Sequence, residues 1–330
     1  MYNFELIEYE KLQLNEFNSY IKKPLFTTKQ WLDFIIEDSK AEPAIFRITR
    51  GNEFLGYVPV LFVKKLGVKI AGSPFRGWST CWMGVEVSNS NEKIGIIKEL
   101  SEVLFKKYKC IYFEIVDRYI EEKELETSGL SYYMNETLEL DIQKTDDELW
   151  KVFKTDCRNY IRQFERRGAI LQEVKPSDEF AEEYYSELKD VFAKQGMKPT
   201  YSCEKVKCLF RHINKEEILC LRVISPEGEP VATSIFLADK YKAYFWGGAS
   251  YREHQHYRPN EFMIWYAIKY WRERKIEIFD MVGNRKYKQK FGPVVKTYAS
   301  IQIAKYRWLI QARNMAERLY FLRLKKRSNK

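Results

Sequence analysis

Apolar and polar positions follow the same plan in two stretches of the chain. Arg47–Lys65 reads RITRGNEFLGYVPVLFVKK and Arg222–Lys240 reads RVISPEGEPVATSIFLADK. Each is a β-branched run, a turn rich in Gly and Glu, and a second run ending in Lys, which predicts a hairpin. A second pair follows in the same order: Asn91–Asp117 and Asn260–Val282. Both open on Asn-Glu, which predicts an N-cap with an acidic first turn. Both then place apolar residues at helical spacing: Ile94, Ile97, Leu100 and Leu104 in one, Met263, Tyr266, Ala267 and Tyr270 in the other. Both end in a short apolar strand, CIYFEI or IEIFDM. Two matches in one order, each offset by roughly 170 residues, predict a duplicated α/β unit.

The remaining pattern fills in each half. The first half predicts a strand at Phe4–Tyr9 and helices near Leu12–Ile21 and Thr28–Ser39 before its hairpin. The second begins around Ile142, with Thr145 or Asp146 capping a helix. It continues with a basic helix Lys154–Arg167, a strand Ile170–Val174, an acidic helix Asp178–Gln195 and a short helix Cys203–Ile213. The hairpin, a strand Ala243–Gly247, a helix and the strand at Phe279 complete it. No Ser/Gly linker marks the boundary, which falls near Asp141–Asp147. The expected domains are residues 1–143 and 144–305, followed by a basic helix at 306–330. Past the last strand the chain reads FDMVGNRKYKQKFGP (Phe279–Pro293). Gly283 is expected to turn it, with Lys286, Lys288 and Lys290 alternating onto one side and Tyr287, Gln289 and Phe291 onto the other.

Composition narrows the class. With 330 residues, 31% charged and 16% aromatic, the chain reads as ordered and soluble. It has no apolar run of roughly 18 residues to span a membrane. Its start, MYNFELIEYEKLQLNEF, lacks a basic region followed by an apolar one, so a cytoplasmic location is expected. The six cysteines form no CxxC pair and are expected to be reduced and mostly buried. His212, His254 and His256 do not fall at ligand spacing with them, so no metal site is expected. The net charge is +10, of which residues 306–330 hold eight basic residues against Glu317, a net of +7. There Trp308, Ile310, Ala312, Met315, Leu319 and Leu322 form an imperfect apolar stripe. RNA contact, peripheral docking on an anionic membrane and a plain surface helix all fit that pattern.

Three segments carry candidate chemistry. In FKTDCRNYIRQFERRGA, Phe153, Cys157, Ile161 and Phe164 form one stripe, with Arg158, Arg162 and Arg166 beside it. The arginines are either a solvated basic face or a face for phosphate or carboxylate. In AYFWGGA (Ala243–Ala249), Trp246 followed by two glycines marks a bulge or a close approach to a ligand. In HQHYRPNEFMIWY, Pro259 and Asn260 start a helix whose N-terminus suits an anion. No GxSxG, Walker, dinucleotide, HExxH or kinase motif is present, so direct transfer between two bound substrates is expected over covalent catalysis.

In order, CRNYIRQFERRGA, EPVATSIFLADKYKAYFWGGA, RPNEFMIWYAIKYWRERKIEIFDMVG and KYKQKFGP resemble the Fem-type branch of the GNAT acyltransferase superfamily, and the related FemAB-like domain of envelope-polysaccharide clusters. The resemblance covers roughly Trp150–Ile303. The first half, with AGSPFRGWSTCWMG, is similar only as a degenerate partner domain. The fold implied is α/β (α+β): two GNAT-like domains, each a mixed, mostly antiparallel sheet flanked by helices. The activity implied is acyl transfer onto an amine of a UDP- or lipid-linked envelope precursor, without a tightly bound cofactor. In cell-wall members aminoacyl-tRNA is the donor and a peptidoglycan stem peptide the acceptor; in others an acyl-CoA serves an amino sugar. The family pattern falls on Asp280, Lys290, Phe291 and Gly292, and on Arg158 and Arg162, with Tyr287 and Trp246 as further substrate-binding residues. Lys290 would stabilise an oxyanion or hold a donor phosphate. Asp280 would orient the nucleophile or relay its proton, or else cap the following turn. Two departures stand out. YREHQHYRPN has no glycine where GNAT proteins hold the CoA pyrophosphate, which leans toward aminoacyl-tRNA, and the coiled-coil arm of longer Fem proteins is missing. The rival class is a non-catalytic RNA-binding or scaffold protein.

Overall fold

The computed structural model describes residues 1–12, 24–65, 67–194, 196–315 and 318–319. Contacts divide the chain into two units, Met1–Asn135 with the chain from Thr297, and Glu136–Lys296. The helix expected near Leu12–Ile21 lies almost wholly outside the described residues.

In the first unit β1 (Asn3–Ile7) is followed by α1 (Lys29–Ser39), β2 (Glu42–Arg50), β3 (Glu53–Lys65), β4 (Val68–Ser73) and the two-residue β5 (Glu86–Val87). Then come α2 (Lys93–Lys106), β6 (Cys110–Asp117), α3 (Glu122–Glu126) and the start of β7 (Ser131–Asp141). Helix α1 begins where Thr28 accepts a hydrogen bond from the Trp31 N–H, and it buries Trp31, Leu32, Phe34 and Ile35.

The second unit contains α4 (Asp146–Val152), α5 (Thr155–Arg166), β8 (Ile170–Val174), α6 (Asp178–Ala193) and α7 (Cys203–His212). The hairpin β9 (Ile218–Ile224) and β10 (Pro230–Ala238) leads to β11 (Lys242–Ser250), α8 (Pro259–Glu273) and β12 (Ile278–Asp280). Thr145 caps α4 through a reciprocal bond with Glu148, so it is Thr145, not Asp146, that starts this helix. The final strand, β13 (Val294–Ala304), returns to the first unit, where Ala299–Ala304 pairs antiparallel with β6.

The sheets have one plan. The first runs β1-β2-β3-β4-β6-β13 and the second β8-β9-β10-β11-β12-β7. Each is antiparallel except at one junction, β4 with β6 and β11 with β12, where the strands are parallel. A parallel pair needs a crossover, and α2 and α8 supply it. Each unit has its own core. That of the second gathers Phe153, Ile161, Phe164, Phe236, Phe245, Trp271, Phe279 and Phe291. Each such side chain contributes roughly 1.5–3 kcal/mol of burial.

Three expectations need correction. Neither Asn91 nor Asn260 caps its helix. Asn89 accepts from the Asn91 N–H to start a 3₁₀ turn before α2. Helix α8 starts at Pro259 behind Arg258, which takes a left-handed φ of 58°. The strand placed at Ala243–Gly247 extends to Lys242–Ser250. The lysine-rich segment is not extended. Val282 and Gly283 at positive φ turn the chain, which closes in a 3₁₀ turn at Gln289–Phe291. With no partner strand there to hold a period of two, Lys288 turns inward and Lys286 outward. All six cysteines are free thiols, four of them buried. No described helix is long and apolar enough to cross a membrane.

Candidate active site

Strands β11 and β12 stay together for only three residues, Lys242–Tyr244 against Ile278–Asp280. Beyond that point β12 has ended and β11 runs on alone on that side. Its register against β10 shifts there: Phe236 faces Phe245 and Ile235 faces Gly247, so Trp246 is bulged out of the ladder. A bulge leaves one residue's backbone unpaired and bends the strand, which is how a sheet presents backbone donors to a ligand. Gly248, next but one, is exposed in mid-strand.

Both faces of this bulge are crowded with hydroxyls. A Cβ on Gly247 would lie 2.3 Å from the Tyr184 hydroxyl, and one on Gly248 would lie 2.8 Å from that of Ser234. Only glycine lets these groups reach the strand. Tyr184 shares a hydrogen bond with Tyr201, whose ring stands 5.4 Å from that of Trp246. Burial holds the Tyr184 hydroxyl well above its usual range and pushes Tyr201 up to about 12. One turn along α6, Glu187 is fully buried and accepts the Thr233 hydroxyl. Burial pushes its carboxyl up to about 8. The indole N–H of Trp246 and Oε1 of Glu187 are buried with no partner among the described residues.

The segment after β12 forms the other wall. Asp280 is fully buried, accepts from the Thr137 hydroxyl and the Val282 N–H, and so holds the turn. Burial raises its carboxyl, against the pull of Thr137 and of Lys242, which is paired with Glu139 at 2.6 Å. Lys288 is 6% exposed; its ammonium donates to the carbonyls of Met281 and Val282 and stands 4.9 Å from the Phe245 ring centroid. Tyr287 beside it is 44% exposed. Phe291 is fully buried and packs edge-on against Phe153 at 5.2 Å. Gly292, at φ +68°, has no room for a Cβ against the Val152 carbonyl.

Lys290 meets the start of α8. Its ammonium pairs with Glu261 at 2.7 Å, each side chain 12% exposed, and lies 4.7 Å from the Tyr160 ring centroid. The Arg258 guanidinium sits over the same ring at 4.3 Å. On α5, Arg158 donates to the carbonyls of Trp150 and Phe153, closing the end of α4, while Arg162 is exposed over the Trp150 ring at 5.4 Å. The structure thus gathers Trp246 with Tyr184 and Tyr201, and separately Lys290 with Glu261, Tyr160 and Arg258.

Residues 151–289 match the acetyltransferase (GNAT) domain family. Over that segment this chain is of the GNAT acetyltransferase type. Its fold is that of FemX: that structure is 15% identical over 89% of this chain and 96% of its own, with a TM-score of 0.70. L-PGS from Bacillus licheniformis is 15% identical over 88% of this chain and 91% of its own, with a TM-score of 0.53. A tandem GNAT protein from the clavulanic acid biosynthesis pathway, solved without AcCoA, is 10% identical over 92% and 98%, with a TM-score of 0.53. No curated protein sequence matches the chain.

Within this GNAT domain the sequence pointed to Trp246 and the lysine segment because two glycines and a charge pattern are local signals. It passed over Tyr184, Tyr201, Glu187, Glu261 and Arg258, and it set Lys288 on the same side as Lys286 and Lys290. Tyr184 and Glu187 lie on the buried side of α6, where they read as ordinary members of an amphipathic helix. The one available signal was Glu187 itself, a carboxylate at an apolar position one turn after Tyr184.

Proposed function

We propose that this protein transfers an aminoacyl group from aminoacyl-tRNA to an amine of a cell-envelope precursor, the stem peptide of a peptidoglycan precursor. The observation that carries the reading is the bulge at Trp246, where β11 outruns β12. An unpaired backbone donor at that point suits the oxygen of a carbonyl under attack, because it is already oriented when the charge develops. The amine lone pair attacks the ester carbonyl, the tetrahedral intermediate collapses, and the carbon–oxygen bond to the ribose breaks. The proton leaving nitrogen ends on the ribose oxygen, so ester and amine become amide and alcohol without a redox partner.

Lys290 and Arg258 are the cations facing the donor, and Arg162 extends that charge along α5. Asp280 acts through position, holding the turn from which Lys288 is buried. Helix α8 supports the choice of donor. Its first turn carries Glu261, held by Lys290, and the loop before it, Arg252–Tyr257, is a 3₁₀ helix without glycine. Without a glycine that loop offers no backbone nest for a CoA pyrophosphate at the helix start. Similarity to FemX favours the same reading.

A second reading is an acyl-CoA-dependent N-acetyltransferase acting on an amino sugar of polysaccharide biosynthesis. The strand bulge serves a thioester equally well, and the tandem GNAT protein of clavulanic acid biosynthesis, solved without AcCoA, has this fold. A donor screen separates the two. The protein is incubated with charged tRNA or acetyl-CoA and UDP-linked acceptors, and the products are weighed by mass spectrometry. Aminoacylated product from charged tRNA alone is expected. Product from acetyl-CoA alone replaces the first reading by the second, and no product from any donor refutes both.

A further inference from the structure

After β13 the chain enters a helix at residues 308–315 that carries apolar residues on its outer side as well. Its tie to the first unit is polar. Arg313 donates to Oε2 of the fully buried Glu114 at 2.8 Å, and the Tyr112 hydroxyl donates to the same oxygen at 3.0 Å. Leu309 and Ile310 are half-buried beside that tie, but a second set of apolar side chains faces water. Trp308 is 62% exposed, Met315 63% and Leu319 51%. At the 100° per residue of a helix, positions 7 and 11 beyond Trp308 return to within about 20° of it, so the sequence pattern puts the three on one stripe. Ala312, between them, is exposed as well. A helix resting on its own protein buries such a stripe; one that leaves it outside has another apolar phase to meet.

We propose that this protein docks on an anionic lipid bilayer through the Trp308–Met315–Leu319 stripe together with the basic residues of the same chain segment. The charge selects the occupant. Eight basic residues against Glu317 lie between Tyr306 and Lys330, more than two thirds of the net charge of the whole chain. Each basic residue at an anionic surface multiplies partitioning by roughly fivefold. Trp and Leu on one side of a helix with Arg and Lys on the other is the composition of a helix lying in the headgroup layer. A nucleic acid would engage the arginines and leave the Trp–Met–Leu stripe in water. The inference is independent of the donor and acceptor proposed above, since its readout is binding and not turnover.

The test is co-sedimentation of the full chain with vesicles of phosphatidylglycerol and phosphatidylcholine, set against vesicles of phosphatidylcholine alone. Binding to the anionic vesicles that weakens with salt is expected. Trp308→Ser/Met315→Ser/Leu319→Ser should bind them at least ~10-fold more weakly with unchanged circular dichroism and melting. A second variant, Arg323→Gln/Lys325→Gln/Lys326→Gln/Arg327→Gln, should lose more than ~10-fold while keeping the stripe. Absence of vesicle binding by the wild type overturns the proposal, as does undiminished binding by the stripe variant. It is overturned too if the stripe proves to hold transfer RNA in a gel-shift assay. A dimer in sedimentation velocity that the stripe variant abolishes has the same effect.

Discussion

The two parallel junctions have one topology and opposite outcomes. At the first, β4 stays with β6 from Lys69 to Ser73, and the space where Gly72 would carry a Cβ is filled by the Phe75 ring, 2.5 Å away. Asp117, closing β6, is fully buried, accepts the Val85 and Tyr119 N–H groups and is bound through both oxygens by Lys93 at the start of α2. At the second, β11 leaves β12 after three residues and exposes Gly248. Asp280 matches Asp117 in position, but the first turn of the crossover helix α8 holds Glu261, which turns to Lys290 instead. The helix-first-turn lysine that seals one junction is thus absent from the other, and the space beside the strand is lined by hydroxyls. A duplicated sheet supplies the same backbone twice; whether it becomes filler or a site depends on what the crossover brings to the strand ends.

Breaking the closed junction should have the largest effect. Lys93→Ala strands a buried Asp117 and should cost about 3–5 kcal/mol of stability in urea titration. Activity per folded molecule should stay unchanged, and a specific loss of turnover would show that the first junction is not inert. Lys290→Ala at the open junction should lower kcat/KM about 100-fold. Because it also strands Glu261, Lys290→Ala/Glu261→Gln is the control: stability should return and activity should not. If activity returns as well, Lys290 does not face the donor.

The two glycines sharpen the comparison. Gly247→Ala collides with the Tyr184 hydroxyl and should cost about 100-fold in turnover, since a shift of an ångström at a reacting centre has that effect. Gly72→Ala collides with Phe75 and should cost about 1–3 kcal/mol of stability instead. Turnover and urea midpoints for both variants check the contrast, and a Gly247→Ala enzyme of normal rate would remove the bulge from the mechanism.

A smaller effect concerns Glu187. Its folded pKa of about 8 lies above the ordinary carboxylate value of 4.5. Its contribution is therefore fully present below that ordinary value and is lost as pH rises through about 8. Glu187→Gln should abolish this slope, so the variant gains on the wild type with rising pH. Urea midpoints below, within and above that window measure it. The smallest effect is expected for Arg162→Ala, about 0.5–1 kcal/mol from its place over Trp150. An unchanged KM for the donor would leave that arginine face merely solvated.

Much of this was readable in the amino-acid order. The hairpins, the strand Ile170–Val174 and the helices Thr155–Arg166 and Asp178–Ala193 follow from periodicity and caps, which act over a few residues. So does the doubling of the plan. Bulging of Trp246 was one of two alternatives the Gly-Gly pair left open. Lys288 was misplaced because alternation implies a strand only where a neighbouring strand exists, and after Asp280 none does. Asn91 and Asn260 were misplaced by one or two residues because Asn89 and Pro259, equally local, compete for the same helix starts.

What the sequence determined by itself is therefore the set of elements and their repetition, since hydrophobic period and capping chemistry are written in neighbouring residues. What only the tertiary structure decided is which copy of the junction stays open. That depends on Phe75 reaching Gly72, Lys93 reaching Asp117 and Tyr184 reaching Gly247. The last two join residues 24 and 63 positions apart in the chain, and no local pattern encodes such meetings. They are selected by packing, which admits one side chain into each space and leaves a site where none enters.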